Sequence, residues 1–166
     1  MGVSLYIAIP IMALLAVVQT AVLPRFAIAG VEPQLLFVVA LAWGLARGLE
    51  EGVIWAFIAG IWVDLFSLAP VGLSSLAFMA GVAAPLLIRP ILPPRRLLVA
   101  ILLAVLGTLI YLALYVVGLA ALGRGFSPGA LADLLPILAF HAVLIGPIYL
   151  LLDTIARTLQ PRRVEF

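Results

Sequence analysis

From residue 3 to residue 23 the chain runs without a single charged side chain, and five more apolar runs follow at 33–46, 52–69, 72–88, 97–122 and 131–156. At 1.5 Å of rise per residue, a run of about 20 residues crosses the hydrocarbon layer of a bilayer. Six such spans use about 120 residues and leave only short loops in a chain of 166. The chain therefore reads as an all-α integral membrane protein, one domain over residues 1–166 built as a bundle of six transmembrane helices. A composition that is 67 % apolar and 10 % charged fits no ordinary soluble domain, and no length remains for a separate soluble catalytic one.

The charges set the orientation. All nine basic residues are Arg. Counting from an N-terminus inside, Arg47, then Arg89, Arg95 and Arg96, then Arg157, Arg162 and Arg163 fall on the inner side, and only Arg25 and Arg124 fall outside. This positive-inside asymmetry predicts an N-in, C-in topology in a cytoplasmic membrane. A net charge of +2 is too sparse for a nucleic-acid surface. The absence of Cys excludes disulfides and thiolate chemistry, and a single His excludes a multi-histidine metal site within one chain. The first run lacks a basic n-region, so it is expected to be retained as a span, although Ala27-Ile28-Ala29 mimics a cleavage site.

Local chemistry predicts the punctuation. Run 33–46 covers only about 21 Å, which implies either an earlier start within residues 26–31 or a locally thin bilayer. Pro70 and Gly72 mark a turn, and Pro90, Pro93 and Pro94 make residues 89–96 a stiff basic loop. Pro136 and Pro147 are expected kink points in the last run.

Two patterns mark the third run. Gly52, Ala56, Gly60 and Asp64 recur every four residues, a ridge of small side chains that lets another helix approach. Trp55, Ile58 and Trp62 form a bulky stripe on roughly the opposite side, expected to face lipid or a partner. Small-residue ridges recur at Ala42/Ala46 with Gly44/Gly48 and at Ala77/Gly81 with Ala80/Ala84. Asp64 is the one acid deep in an apolar run, so it must be shielded and hydrogen-bonded. Its position predicts a polar layer with Gln19, Thr20, Arg25, Ser74, Ser75 and His141, which is either a ligand or proton site in the outer half of the bundle or a buried cap or hydrogen bond fixing the turn before Ser74, the second being the favoured reading. His141 is expected to make an interhelical hydrogen bond, and Asp153 with Arg157 an i,i+4 pair. No phosphate loop, nucleophile elbow or H-E-x-x-H motif occurs.

Residues 33–76 carry a resemblance. Pro33-Gln34-Leu35-Leu36, Arg47-Gly48-x-x-Glu51-Gly52, Phe57-x-x-Gly60, Asp64 and Pro70-x-Gly72 together resemble the rod shape-determining MreD family. The resemblance implies a non-enzymatic, cofactor-free component of the bacterial elongation machinery in the inner membrane. It implies MreC as main partner, with RodA, its transpeptidase and, indirectly, MreB around them. Pro33, Arg47, Gly52, Gly60, Asp64 and Gly72 match the family pattern and are expected to preserve the fold. Trp55, Ile58, Trp62, Ala77, Ala80, Gly81 and Ala84 are the candidate partner interface. The family is also similar in fold to the S components of energy-coupling-factor transporters, which makes vitamin uptake the rival function. Those subunits commonly carry A-x-x-x-A in the first helix, and residues 8–16 here contain no such spacing.

Overall fold

The computed structural model describes residues 2–27, 30–67, 70–93, 96–124 and 133–158. Six α-helices lie within them: α1 (Gly2–Ala21), α2 (Leu35–Arg47), α3 (Leu49–Leu65), α4 (Leu73–Ile88), α5 (Arg96–Ala121) and α6 (Leu134–Thr158). Four segments, Tyr6–Arg25, Leu73–Ile91, Leu97–Ala121 and Leu134–Thr158, are long and apolar enough to cross a membrane. Of the expected basic loop 89–96, the first part is as its prolines require, since α4 stops at Ile88 and a 3-10 turn, Arg89–Ile91, follows; Pro94 and Arg95 lie outside the described residues, and Arg96 already opens α5. Pro136 falls in the first turn of α6, where its missing N–H has no helical partner to lose, whereas Pro147 lies inside the helix.

The bundle is organised around its shortest full helix. α2 has 13 residues, and the ten from Leu36 to Leu45 are all buried. It is the one helix in contact with all five others, while α3, α4, α5 and α6 pack in succession around it and α1 leans on α3 and on α2. A helix apolar on every side belongs inside a protein, and this one is wrapped by protein. The short second run thus neither starts early, since α2 begins at Leu35, nor faces lipid along its length.

Helices successive in the chain run antiparallel, with the close pairs Asp64–Ser74, Gly81–Gly107 and Thr108–His141 joining α3 to α4, α4 to α5 and α5 to α6. The distal end of the bundle is therefore where α1, α3 and α5 finish and α2, α4 and α6 begin. At mid-depth, Phe37 of α2 gathers the outer helices: its ring lies 5.2 Å from Phe78 of α4, 4.6 Å from Tyr111 of α5 and 5.7 Å from His141 of α6. Beside it Gly81 and Gly107 bring α4 and α5 together, backbone against backbone.

Candidate functional site

A helix that starts inside a bundle leaves amide hydrogens that water cannot reach, and each left unpaired is costly. At the start of α2 no local side chain caps them. Two other helices do so instead. Gln19 of α1 accepts the N–H of Leu36 on Oε1 at 3.5 Å and donates from Nε2 to Gln34 Oε1 at 2.6 Å. His141 of α6 accepts the N–H of Gln34 on Nε2 at 3.0 Å, and its Nδ1 lies 2.8 Å from Thr108 Oγ1 of α5. One polar cluster thus ties α1, α2, α5 and α6 around the start of α2.

Asp64 does the same for α4. The backbone N–H of Gly72 donates to Oδ2 at 2.6 Å, and that of Ser74 donates to Oδ1 at 3.2 Å. Gly72 is the N-cap of α4 and holds φ +99°, a left-handed conformation that favours glycine. The expected cap on the turn before Ser74 is present, and Asp64 is buried in it. The single polar layer is not. Ser74 meets Asp64 through its backbone, and the Ser75 hydroxyl bonds the Phe57 carbonyl. Gln19 and His141 belong to the separate α2 cluster. Among the described residues no hydrogen bond or ion pair joins Arg25 to Asp64, and Arg25 is exposed. The two clusters form because two helices begin at this end, and each needs its own acceptors.

At the proximal end a single residue, Gly48 at φ +104°, separates α2 from α3. Arg47 pairs across it with Glu51 at 3.1 Å, and Trp43 Nε1 donates to Glu51 Oε2 at 2.9 Å. The Arg89 guanidinium, from the 3-10 turn after α4, donates to the carbonyl of Leu45 in the last turn of α2. A cation there also complements the negative end of the helix dipole. Both ends of α2 are therefore closed by side chains from other elements.

The small-residue ridge of α3 is internal, as its spacing requires. A Cβ on Gly60 would fall on the backbone of Ser75, and one on Gly52 would stand 2.6 Å from Gly44 Cα. The bulky stripe departs from its expected place. Trp55 is 1 % exposed and stacks on Trp43 with ring centroids 4.5 Å apart, while Ile58 and Trp62 are half-buried. The reason is that α3 packs on α1, α2 and α4, so the face left open is the one bearing Phe57 and Leu65. The second candidate face changes too. Ala77 and Gly81 are buried, and Gly81 is closed by Gly107 and Tyr111 of α5, leaving Ala80 and Ala84 half-buried. Pro33 is half-buried just ahead of α2, where its carbonyl accepts the N–H of Leu35 at 3.1 Å.

Among the described residues no group of three or more acidic, His or Cys side chains is placed to hold a metal ion, and no buried side-chain polar atom lacks a partner. The polar groups of the interior act on helix ends.

Compared with known proteins, residues 1–159 match the family model described as rod shape-determining protein MreD. The chain belongs to the MreD family. That membership gives it a role in rod shape determination, and the apolar helices make it a multi-pass membrane protein. No curated protein and no solved structure matches it.

Within this MreD-family fold, sequence reasoning missed Gln34, Thr108 and Arg89 as structural contacts. Gln34 and Thr108 carried no pattern of their own, because their partners lie up to 107 residues away. Arg89 enters the sequence reading as one of the inner arginines and as the start of the basic loop, not as a helix cap. Its place immediately after a helix, beside prolines that stop that helix, was the available signal.

Proposed function

We propose that this MreD-family chain is a non-enzymatic scaffold of the elongation machinery. In this reading it lies N-in, C-in in the bacterial inner membrane, as one six-span domain that binds MreC and supports lateral peptidoglycan synthesis. RodA and its transpeptidase bind around that pair, and MreB is reached indirectly. The observation that carries the reading is where the polar groups are spent. Gln19, Asp64, Thr108, Arg89 and His141 are all committed to backbone groups or to one another. The surface left for protein partners within the bilayer is an exterior of exposed apolar side chains, such as Leu14 on α1, Leu76 and Leu87 on α4, and Val143 and Leu151 on α6. A protein with short loops recognises partners through such helix faces, by packing within the bilayer. Of the interface expected from the sequence, Ile58, Trp62, Ala80 and Ala84 stay in the proposal, and Trp55, Ala77 and Gly81 leave it as internal positions.

Affinity purification of the tagged full chain in mild detergent, followed by mass spectrometry of bound proteins, tests this. MreC is expected in stoichiometric amount, and replacing Ala84 with Trp is expected to reduce it without lowering the unfolding temperature. Recovery of the folded chain without MreC contradicts the proposal.

A further inference from the structure

Where α1 and α3 end, above the first residues of α2, the distal end of the bundle holds a cavity of about 140 Å³. That is close to the roughly 150 Å³ of a cavity known to admit one benzene ring. Gln19 and Thr20 of α1, Gln34 at the start of α2, Trp62 and Phe66 at the end of α3, and Ser67 are among the residues that line it. Among the described residues no charged side chain does. The Trp62 and Phe66 rings lie 22° from parallel with centroids 6.3 Å apart and give it an aromatic wall. Thr20 donates its hydroxyl hydrogen to the carbonyl of Ala16, which leaves its oxygen lone pairs as acceptors, and Ser67 donates to the carbonyl of Asp64. Gln34 spends its Oε1 on Gln19, and among the described residues its Nε2 has no partner within the fold. The cavity opens at the rim, where Thr20, Phe66 and Ser67 are exposed.

A site of this kind selects by four properties. Its volume admits one six-membered ring. Its aromatic wall favours a ring with a flat apolar face. Its carboxamide donor on Gln34 and its hydroxyl acceptor on Thr20 call for a ligand that both donates and accepts, as hydroxyl groups do. Its lack of countercharge penalises an ion, which would lose its hydration without compensation. We propose that this cavity binds a single uncharged pyranose ring, either free or as the headgroup of a neutral glycolipid lying at the rim of the bilayer. The proposal does not rest on the scaffold reading, and either can fail alone.

Trp62 supplies the reporter, since Trp43 and Trp55 are stacked together at the other end of α3. The full chain in phosphatidylcholine nanodiscs is titrated with methyl β-D-glucopyranoside and, separately, prepared with rising fractions of monoglucosyl diacylglycerol. Tryptophan fluorescence and the unfolding temperature are both followed. A saturable fluorescence change with a rise in unfolding temperature is expected for at least one probe, and the fluorescence change is expected to vanish in Trp62→Phe. Response to the lipid alone assigns a membrane source, and response to the methyl glucoside assigns the free ring. Thr20→Val keeps shape and helix but removes an acceptor, and it is expected to weaken binding by about tenfold, the scale of one hydrogen bond, with unchanged stability of the ligand-free chain. Glucuronate, the charged analogue, is expected to bind at least about tenfold more weakly than methyl glucoside if the free ring binds. Neither probe moving either signal overturns the proposal, as does undiminished binding to Thr20→Val or equal binding of glucuronate.

Discussion

His141 on α6 accepts the backbone N–H of Gln34, a residue 107 positions earlier, and this single contact settles where the imidazole carries its proton. Nε2 is the acceptor and must be bare. The Thr108 hydroxyl donates to Ala104 O at 2.6 Å, so it can only accept from His141, whose Nδ1–H points to it at 2.8 Å. The ring is the neutral Nδ1–H tautomer, assigned by the bonding around it. Nitrogen-15 NMR of the labelled chain in micelles at neutral pH is expected to show that tautomer. A double-mutant cycle of His141→Phe with Thr108→Val is expected to give a favourable coupling of about 0.6 kcal/mol, the average for hydrogen bonds between membrane helices, and no more than about 1.7 kcal/mol. A protonated Nε2 would contradict the assignment.

Asp64 gives the second prediction. From the sequence alone, Asp64→Asn is expected to be nearly neutral if Asp64 only needs satisfying within the fold, and as damaging to activity as Asp64→Leu if its role is proton-coupled. The geometry changes that expectation. Both carboxylate oxygens accept backbone hydrogens, from Gly72 and from Ser74, whereas Asn offers one oxygen and turns an NH2 group toward the other donor. Asp64→Asn is expected to cost about 1–2 kcal/mol, the scale of one lost cap. Asp64→Leu loses both acceptors and is expected to cost roughly twice as much. Thermal unfolding in detergent measures both, and an unperturbed Asn variant would show that the second oxygen contributes nothing.

These two residues also mark how far the sequence could be read. An acid alone in an apolar run must find donors, and the nearest unmet donors are those of the helix beginning eight residues on, so the Asp64 cap was legible. His141 was legible as an interhelical bond because a buried imidazole needs partners. Which partner it takes depends on how α2 and α6 meet, and no local pattern encodes that. The Trp55 stripe misled for a related reason. Periodicity separates the small face of α3 from its bulky face, but it cannot report how many neighbours the helix has. With α2 at the centre, the bulky face is covered at Trp55, which stacks on Trp43, and left half-buried at Ile58 and Trp62. The shortness of the second run was the clue to that arrangement, since a central helix wrapped by others need not match the hydrocarbon thickness.

Orientation is open to a direct test. The chain contains no Cys, so single cysteines report cleanly. Pro93 and Leu122 are exposed at opposite ends of the bundle. With Pro93→Cys and Leu122→Cys in intact cells, an impermeant maleimide is expected to label only position 122, in keeping with the arginine asymmetry. Labelling at 93 but not at 122 inverts the topology, and labelling at both excludes a six-span arrangement.

The glycines separate contact from mere smallness. A Cβ at Gly60 would fall on the backbone of Ser75, and one at Gly81 would stand 2.8 Å from the carbonyl oxygen of Gly107. Backbone cannot step aside as a side-chain tip can, so the helices themselves must part. At Gly146 the nearest atom is Leu97 Cδ1 at 3.5 Å, an ordinary van der Waals contact. Gly60→Ala and Gly81→Ala are therefore expected to destabilise by about 1–3 kcal/mol, the usual scale of overpacking, and Gly60→Ala the more. Gly146→Ala adds no clash and removes backbone freedom from the unfolded chain, so it is expected to be neutral or to stabilise by up to about 1 kcal/mol. The same geometry makes Gly81→Leu a folding mutant. Loss of a partner in that variant is expected to accompany a fall in unfolding temperature, and loss of the partner from a fully stable Gly81→Leu chain would return Gly81 to the docking surface.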